Sequence, residues 1–343
     1  MSRPDGLQHT LYEHDIPPDI AARIDSIYES AFCTIPYFKL FRKASDLNAL
    51  VISTNDAVIV HVLVYVISGK EVTLMNELVG IGQEYLLHFA DFVYARYPEV
   101  STVNFDCQIY CPVQHQYPWR LWKTWHDIAI PLPDSMDSYN SSLSDRTRKN
   151  IKYYLSRLRK NYIDFAFDVT ATQDIDPTVI SRIIEMNRSR MNDANITSGY
   201  SSTLEKTIIE YCRYYGTVCT VSLQGKVAAG TICYEVGNQV YLETISHDTG
   251  YNKYNVGQVC LYLTIKHMIE KGRSSYHMLW GENDYKYRLL GIRHDLFYLS
   301  VYRSRAAKLS SVPKLLKYRY AGYISQLDYL ANKYILKFFR SRR

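Results

Sequence analysis

The chain changes hydrophobic rhythm repeatedly, from runs and alternations of period two to patches spaced every three or four residues. In the first half, residues 18–32 have helical spacing. Residues 49–54 and 57–67 read as paired strands around the turn signal Asn55-Asp56. The second of these, rich in Val and Ile and interrupted by His61, is too short to cross a bilayer as a helix and reads as a buried strand. A strand is expected at 72–78. A helix follows at 82–97, with Leu86, Phe89, Ala90 and Val93 on one face and a stop at Pro98, and then a strand at 102–105. Residues 111–125, holding Trp119, Trp122 and Trp125, read as an aromatic loop that leads into a strand at 126–131 and could stack on sugar rings or pack between domains.

The second half opens with a polar linker at 138–145, ending in a helix cap. The helix 146–161 carries Ile151, Tyr154, Leu155, Leu158 and Tyr162 on one face and Arg146, Arg148, Lys149, Lys152, Arg157, Arg159 and Lys160 on the other. A basic face of this kind is usually solvated, and it also suits an anionic acceptor or nucleic acid. A strand at 165–170, helices at 177–191 and 202–215, and antiparallel strands at 217–223, 226–235 and 239–246 follow. Their turns fall at Gln224-Gly225 and Gly237-Asn238. A bend at 251–258 precedes a helix at 259–271, a stop at Gly272, a strand at 275–280 and a further strand at 297–302. Both halves therefore run helix, antiparallel strands, helix, strand. The expected architecture is α/β of the α+β type, with two similar domains at 1–137 and 138–302 and a tail at 303–343.

In the tail, Leu316, Tyr320, Tyr323, Leu327, Leu330, Tyr334 and Phe338 recur at helical spacing, broken near Gly322. From Arg303 onward there are eleven Lys/Arg against Asp328, so the tail carries +10 and the remainder −4 of a total of +6. Such a basic amphipathic helix can rest on an anionic membrane surface, or pack on the acidic body. Tyrosine is abundant, at 32 against 11 phenylalanines, which fits either strand packing or a contact surface. Seven irregularly spaced cysteines argue against a disulfide framework and a zinc ribbon, and no metal is expected. With no signal-like apolar run after Met1, the expected location is cytoplasmic, at the inner face of the membrane if the tail docks there.

The bend Tyr251-Asn252-Lys253-Tyr254-Asn255-Val256-Gly257-Gln258 hands a strand over to a helix, where unpaired amide groups can hold a phosphate or pyrophosphate. Together with Arg146-Thr147-Arg148-Lys149-Asn150-Ile151, Gly225-Lys226-Val227-Ala228-Ala229-Gly230 and Trp280-Gly281-Glu282-Asn283-Asp284-Tyr285-Lys286, it makes residues 140–300 resemble GNAT-type acyltransferases. The branch is that of cellulose and exopolysaccharide biosynthesis, related to Fem-type peptidyl transferases with two fused GNAT-like domains. The usual loop pattern of that superfamily, Gln/Arg-x-x-Gly-x-Gly/Ala, is here Asn252, Asn255 and Gly257. Asn tolerates left-handed backbone geometry, so the loop can still form.

The resemblance implies acyl-CoA, foremost acetyl-CoA, as co-substrate at Asn252, Lys253, Asn255, Val256, Gly257 and Gln258. It implies transfer to an amine on a small molecule or an amino sugar in surface polysaccharide synthesis. Such chemistry needs a base, polarisation of a thioester carbonyl and a proton for the departing thiolate. On the strand 239–246, alternation puts Tyr241, Glu243 and Ile245 on one face, making Glu243 the candidate base, with a buried ion pair as the ordinary alternative. His247, followed by Asp248, is a candidate proton relay or a solvated loop residue. Glu282, Asp284, Tyr285 and Lys286 follow a strand end. Lys286 suits a phosphate and the two acids an amine, unless they form a helix cap with a surface lysine. Two other readings stand beside this one. One is a Fem-like transferase fed by aminoacyl-tRNA, the only nucleic acid expected as a partner. The other is a non-catalytic, membrane-associated assembly factor.

Overall fold

The computed structural model describes residues 7–109, 116–193 and 195–312. Twelve strands form one continuous sheet. The first half supplies β1 (Gln8–Tyr12), α1 (Pro18–Tyr28), α2 (Ile35–Leu40), β2 (Asn48–Ser53), β3 (Ile59–Ser68), β4 (Glu71–Leu74), α3 (Gln83–Arg96), β5 (Thr102–Ile109) and β6 (Trp119–Pro131). The second supplies α4 (Met136–Ser142), α5 (Asp145–Asn161), β7 (Ala166–Ala171), α6 (Pro177–Asp193), α7 (Ser202–Tyr215), β8 (Gly216–Leu223), β9 (Lys226–Val236), β10 (Gln239–His247), α8 (Val256–Glu270), β11 (Ser275–His277), α9 (Asp284–Arg288), β12 (Ile292–Tyr302) and α10 (Arg305–Ser310).

The strand order is β1-β2-β3-β4-β5-β12-β6-β11-β10-β9-β8-β7. Each half contributes an antiparallel meander and one parallel pair, β4 with β5 and β10 with β11. The closing strands are exchanged: β12 lies against β5, whereas β6 lies against β11. The pair β6–β12 then stitches the halves together over ten residues of register, from Ile292↔Ala129 to Val301↔Trp119. This internal repeat is one of element order, and the 137/138 boundary expected from the sequence falls inside α4.

Local chemistry explains most of the elements. Gln224 and Gly225 both adopt positive φ, the mirror-type turn whose twist matches that of a β8–β9 hairpin. Ser144 and Ser201 accept from the amides of Thr147 and Leu204 and so cap α5 and α7. Helix α8 is apolar nearly all round, and its Val259, Cys260, Leu261, Ile265 and Met268 are buried against β8–β10. Each such side chain contributes about 1.5–3 kcal/mol of transfer free energy. Helices α6 and α7 cover the opposite face with Ile180, Ile183, Ile184, Ile208 and Tyr211.

Several expectations are corrected. The segment from Trp119 to Trp125 is strand rather than loop: Trp122 stacks on Tyr298 of β12 at 4.6 Å between ring centroids. Helix α8 begins at Val256, three residues early, because Thr249–Tyr254 already coil into a 3₁₀ turn. The strand expected at 275–280 ends at His277, and the one expected at 72–78 ends at Leu74. Of the 303–343 tail, only α10 and its neighbours up to residue 312 are described, so the amphipathic pattern from Leu316 onward lies outside the described residues.

Candidate active site

Strands β10 and β11 pair in parallel only through Gln239↔Ser275, Val240↔Tyr276 and Tyr241↔His277. Beyond that point they part, and β11 is pulled aside by a set of polar contacts. His277 Nδ1 donates to the buried Asp127 Oδ2 at 2.5 Å, and its ring stacks on Tyr241 at 4.4 Å. The other oxygen of Asp127 accepts the Leu279 amide at 3.0 Å, just where Leu279 turns to φ +53°. Lys286 locks the same turn. Its buried ammonium donates to the carbonyls of Met278, Leu279 and Trp280 at 2.7, 3.0 and 2.8 Å. Desolvation lowers its pKa to about 8. Lys286 is therefore committed to backbone, which corrects its reading as a phosphate-facing or surface side chain.

The consequence is a wedge. From Leu242 onward, β10 has no strand partner on its β11 side among the described residues, although it lies in mid-sheet. Unpaired strand groups of this kind can bind an extended ligand. The wedge ends at the N-terminus of α8. Its Ncap Asn255 is left-handed, φ +50° and ψ +39°, and no side chain caps the first turn. Asparagine thus fills the place where glycine is usual. Amides of Val256, Gly257 and Gln258 point out of the first turn, where an anion is stabilised. Positive charge flanks them. Arg157 of α5 lies 4.9 Å from the Tyr254 ring centroid and donates to the Lys253 carbonyl, while Lys253 stacks on the same ring at 5.1 Å. Asn255 Nδ2 donates to Gln258 Oε1, so both side chains are engaged beside the turn.

His247 closes the inner wall of this turn. Its Nε2 donates to Asn252 Oδ1 at 2.8 Å, and a Cβ built on Gly257 would lie 2.7 Å from its Nδ1. Burial lowers its pKa, so the ring is neutral near pH 7. Asp248, its neighbour in sequence, is paired with Arg182 at 3.2 Å.

Glu243 occupies a β-bulge in β10, between Leu242 and Thr244. The bulge breaks strict alternation. Tyr241 and Glu243 share the α6–α7 face, whereas Ile245 packs on the opposite face, contrary to simple period-two reading. Burial raises the Glu243 pKa from 4.5 to about 7, with the phenols of Tyr200 and Tyr234 partly offsetting it. No cationic side chain pairs with it among the described residues, so the buried ion pair weighed from the sequence does not form. Tyr285 of α9 is half-buried against the core cluster that it shares with α8, its pKa raised by burial and lowered in part by Arg190. Glu282 is on the rim, ion-paired with Arg293 and accepting from Tyr287, and Asp284 opens α9 in solvent. Glu243 and His247 thus lie on the part of β10 that has parted from β11, Tyr285 packs with the α8 cluster, Glu282 and Asp284 are exposed, and Lys286 supports the turn after β11.

Sequence reasoning missed Asp127, His277, Tyr200 and Arg190. The first two meet only through pairing of β6 with β11, at a separation of 150 residues. Arg190 was hidden in the run Arg188-Ser189-Arg190, which reads as solvated helix.

Residues 145–287 match the family model described as an acetyltransferase (GNAT) domain. No curated protein matches the chain by sequence. Among solved structures, a conserved protein of unknown function from Bacteroides thetaiotaomicron superposes with TM-score 0.57 at 11% identity, over 86% of this chain and all of that one. FemX superposes with TM-score 0.59 at 9% identity, over 84% of this chain and 96% of its own. At such identities the likeness is one of fold, and it extends over both halves. Residues 145–287 are a GNAT-type acetyltransferase domain, and by that domain the chain is an acyltransferase.

Proposed function

We propose that the chain transfers an acyl group, most simply acetyl, from acyl-CoA to the nitrogen of an amine held under α6 and α7. The observation that carries this reading is the wedge itself: a mid-sheet strand, unpaired on its β11 side from Leu242 onward, that leads directly to the uncapped first turn of α8. The donor's pantetheine arm would pair along β10, and its diphosphate would meet the amides of Val256, Gly257 and Gln258, next to Asn252 and Lys253. The amine nitrogen attacks the thioester carbonyl carbon. The C–N bond forms, Glu243 takes the proton from nitrogen, the C–S bond breaks and the departing thiolate takes a proton from Tyr285. A base with a pKa near 7 suits this task at neutral pH. His247 holds the turn with Asn252 and, being neutral, leaves the anion site free of an added charge.

An amino sugar in surface polysaccharide synthesis is the acceptor we favour, on the strength of the sequence resemblance alone. The membrane enters this reading only through the basic sequence of the tail; no helix among the described residues is long and apolar enough to cross a bilayer. Calorimetric titration with acetyl-CoA tests the donor, and absence of heat at millimolar ligand would remove it.

The fold likeness to FemX favours a second reading, an aminoacyl transfer fed by charged tRNA, with the basic face of α5 as its contact. Against it, α6 and α7 span only 17 and 14 residues and build no long coiled-coil arm. Affinity for tRNA that collapses between 50 and 200 mM salt, as counterion release requires over roughly that range, would favour it over the CoA form.

A further inference from the structure

Arg190, in the last turn of α6, has no place in the chemistry just described. Its Nε is buried and finds no hydrogen-bond acceptor, and the guanidinium forms no ion pair among the described residues. Its neighbours on the helix are all engaged. Arg182 pairs with Glu185 and Asp248, and Arg188 pairs with Glu205 and donates to the Tyr200 carbonyl. A buried N–H donor without an acceptor is costly and rare in a settled structure. A second orphan lies on the same face of the sheet: the Ser246 hydroxyl, on fully buried Ser246 of β10, also lacks a partner. Ser246 pairs across β9 with Gly230, whose Cα faces Ile183 of α6, and this places the hydroxyl under that helix.

The location is specific. The charge of Arg190 is felt by Tyr200, His247 and Tyr285. Tyr200 in turn donates to the carbonyl of Glu243. Two unsatisfied polar groups, one of them on a cationic side chain, therefore lie with Tyr200 on the α6–α7 side of β10, the side to which Glu243 also belongs. Among the described residues no carboxylate pairs with Arg190, and Glu205 and Asp248 are held by other arginines.

We propose that Arg190, assisted by Ser246, reads an anionic group on the acceptor, so that the substrate is an amine bearing a carboxylate or phosphate rather than a neutral amine. This rests on the acyltransferase reading of the wedge. A guanidinium binds either anion through paired N–H groups, and a serine hydroxyl can donate to the same oxygen. Loss of such a charge-assisted contact typically weakens recognition about 10- to 100-fold.

The test uses the full chain, acetyl-CoA, and three amines that differ in their anion: glucosamine, muramic acid with its carboxylate, and glucosamine 6-phosphate. For the wild type, kcat/KM should be at least about 10-fold higher for one or both anionic amines than for glucosamine. Which one wins separates carboxylate from phosphate. Arg190→Gln should erase that preference while leaving the calorimetric affinity for acetyl-CoA and the melting temperature unchanged. A wild-type enzyme indifferent to the anion overturns the proposal. So does an Arg190→Gln protein that keeps the preference but loses acetyl-CoA affinity, since Arg190 would then serve the donor. Direct titration with the three amines alone decides the matter even if acetyl-CoA fails to bind. Selective binding of an anionic amine, lost in Arg190→Gln, upholds the subsite apart from the donor, and equal binding of all three removes it.

Discussion

The Tyr200 hydroxyl donates to the backbone carbonyl of Glu243 at 3.0 Å, across the gap between the α6–α7 connection and the bulge of β10. One hydrogen bond thus ties the α6–α7 connection to the residue that we propose as the base. The bulge is where the strand stops pairing on one side and re-aims a side chain, a frequent device beside active sites. Its cost is the burial of a carboxyl, and the same burial moves that carboxyl into the range useful at neutral pH.

If Glu243 is the base, kcat/KM should rise with pH through about 7 as its carboxyl ionises, then level off. Glu243→Gln should lower kcat by about 10²- to 10³-fold and abolish that acid limb, with acetyl-CoA affinity retained. A pH–rate profile of the variant that keeps its limb near 7 would assign the titration to another group.

The same burial predicts a pH-dependent stability. Glu243 and Glu77 both have native pKa values of about 7, against 4.5 for the free group. Between those values the native state holds protons that the unfolded chain has lost, so each group makes stability fall as pH rises from about 4.5 to about 7. Glu243→Gln should therefore be more stable than wild type at pH 8, by on the order of 1–3 kcal/mol, and no more stable at pH 4. Glu77→Gln should gain less, because Arg42 sits 2.9 Å from its carboxylate and would be left unpaired. Urea unfolding of the three proteins at both pH values measures this.

Much of the fold was legible because its periodicities are strong. The hairpin at Gln224-Gly225, the cap at the end of the 138–145 stretch, and the apolar face of α3 follow from local chemistry. The exchange of β6 and β12 was not legible, since nothing within either strand says which neighbour it will choose across the middle of the sheet. The site divided in the same way. Glu243, His247 and the turn at Asn255 could be found from strand and bend patterns. The inward direction of Lys286 depends on a left-handed Leu279 that exposes three carbonyls to it, a conformation with no sequence signal.

Lys286 provides a sharp contrast between support and ligand binding. Lys286→Met keeps the apolar stem but leaves three carbonyls without their donor, and should cost about 2–4 kcal/mol. Its thermal unfolding should shift downward, with activity lost in proportion to unfolded protein. An unchanged melting temperature with a raised acetyl-CoA dissociation constant would instead return Lys286 to the phosphate.

The contact between His247 and Gly257 can be tested by its sign. Alanine in place of glycine within a helix ordinarily stabilises by about 0.5–1 kcal/mol, and Gly257 lies in the first turn of α8 with helical rather than left-handed backbone. Here the added methyl would meet the imidazole ring at 2.7 Å from Nδ1 and 3.2 Å from Cγ, the body of the ring rather than a flexible tip. Gly257→Ala should therefore destabilise and weaken acetyl-CoA binding, because the ring must swing away from Asn252 and the turn loosens with it. His247→Ala removes the obstacle. In that background the same substitution should recover its ordinary stabilising sign, giving a coupling of about 1 kcal/mol or more between the two sites. Chemical denaturation of the four proteins closes the cycle. Additivity within about 0.3 kcal/mol would mean that the ring does not rest on the turn, and that the glycine is there for the donor alone.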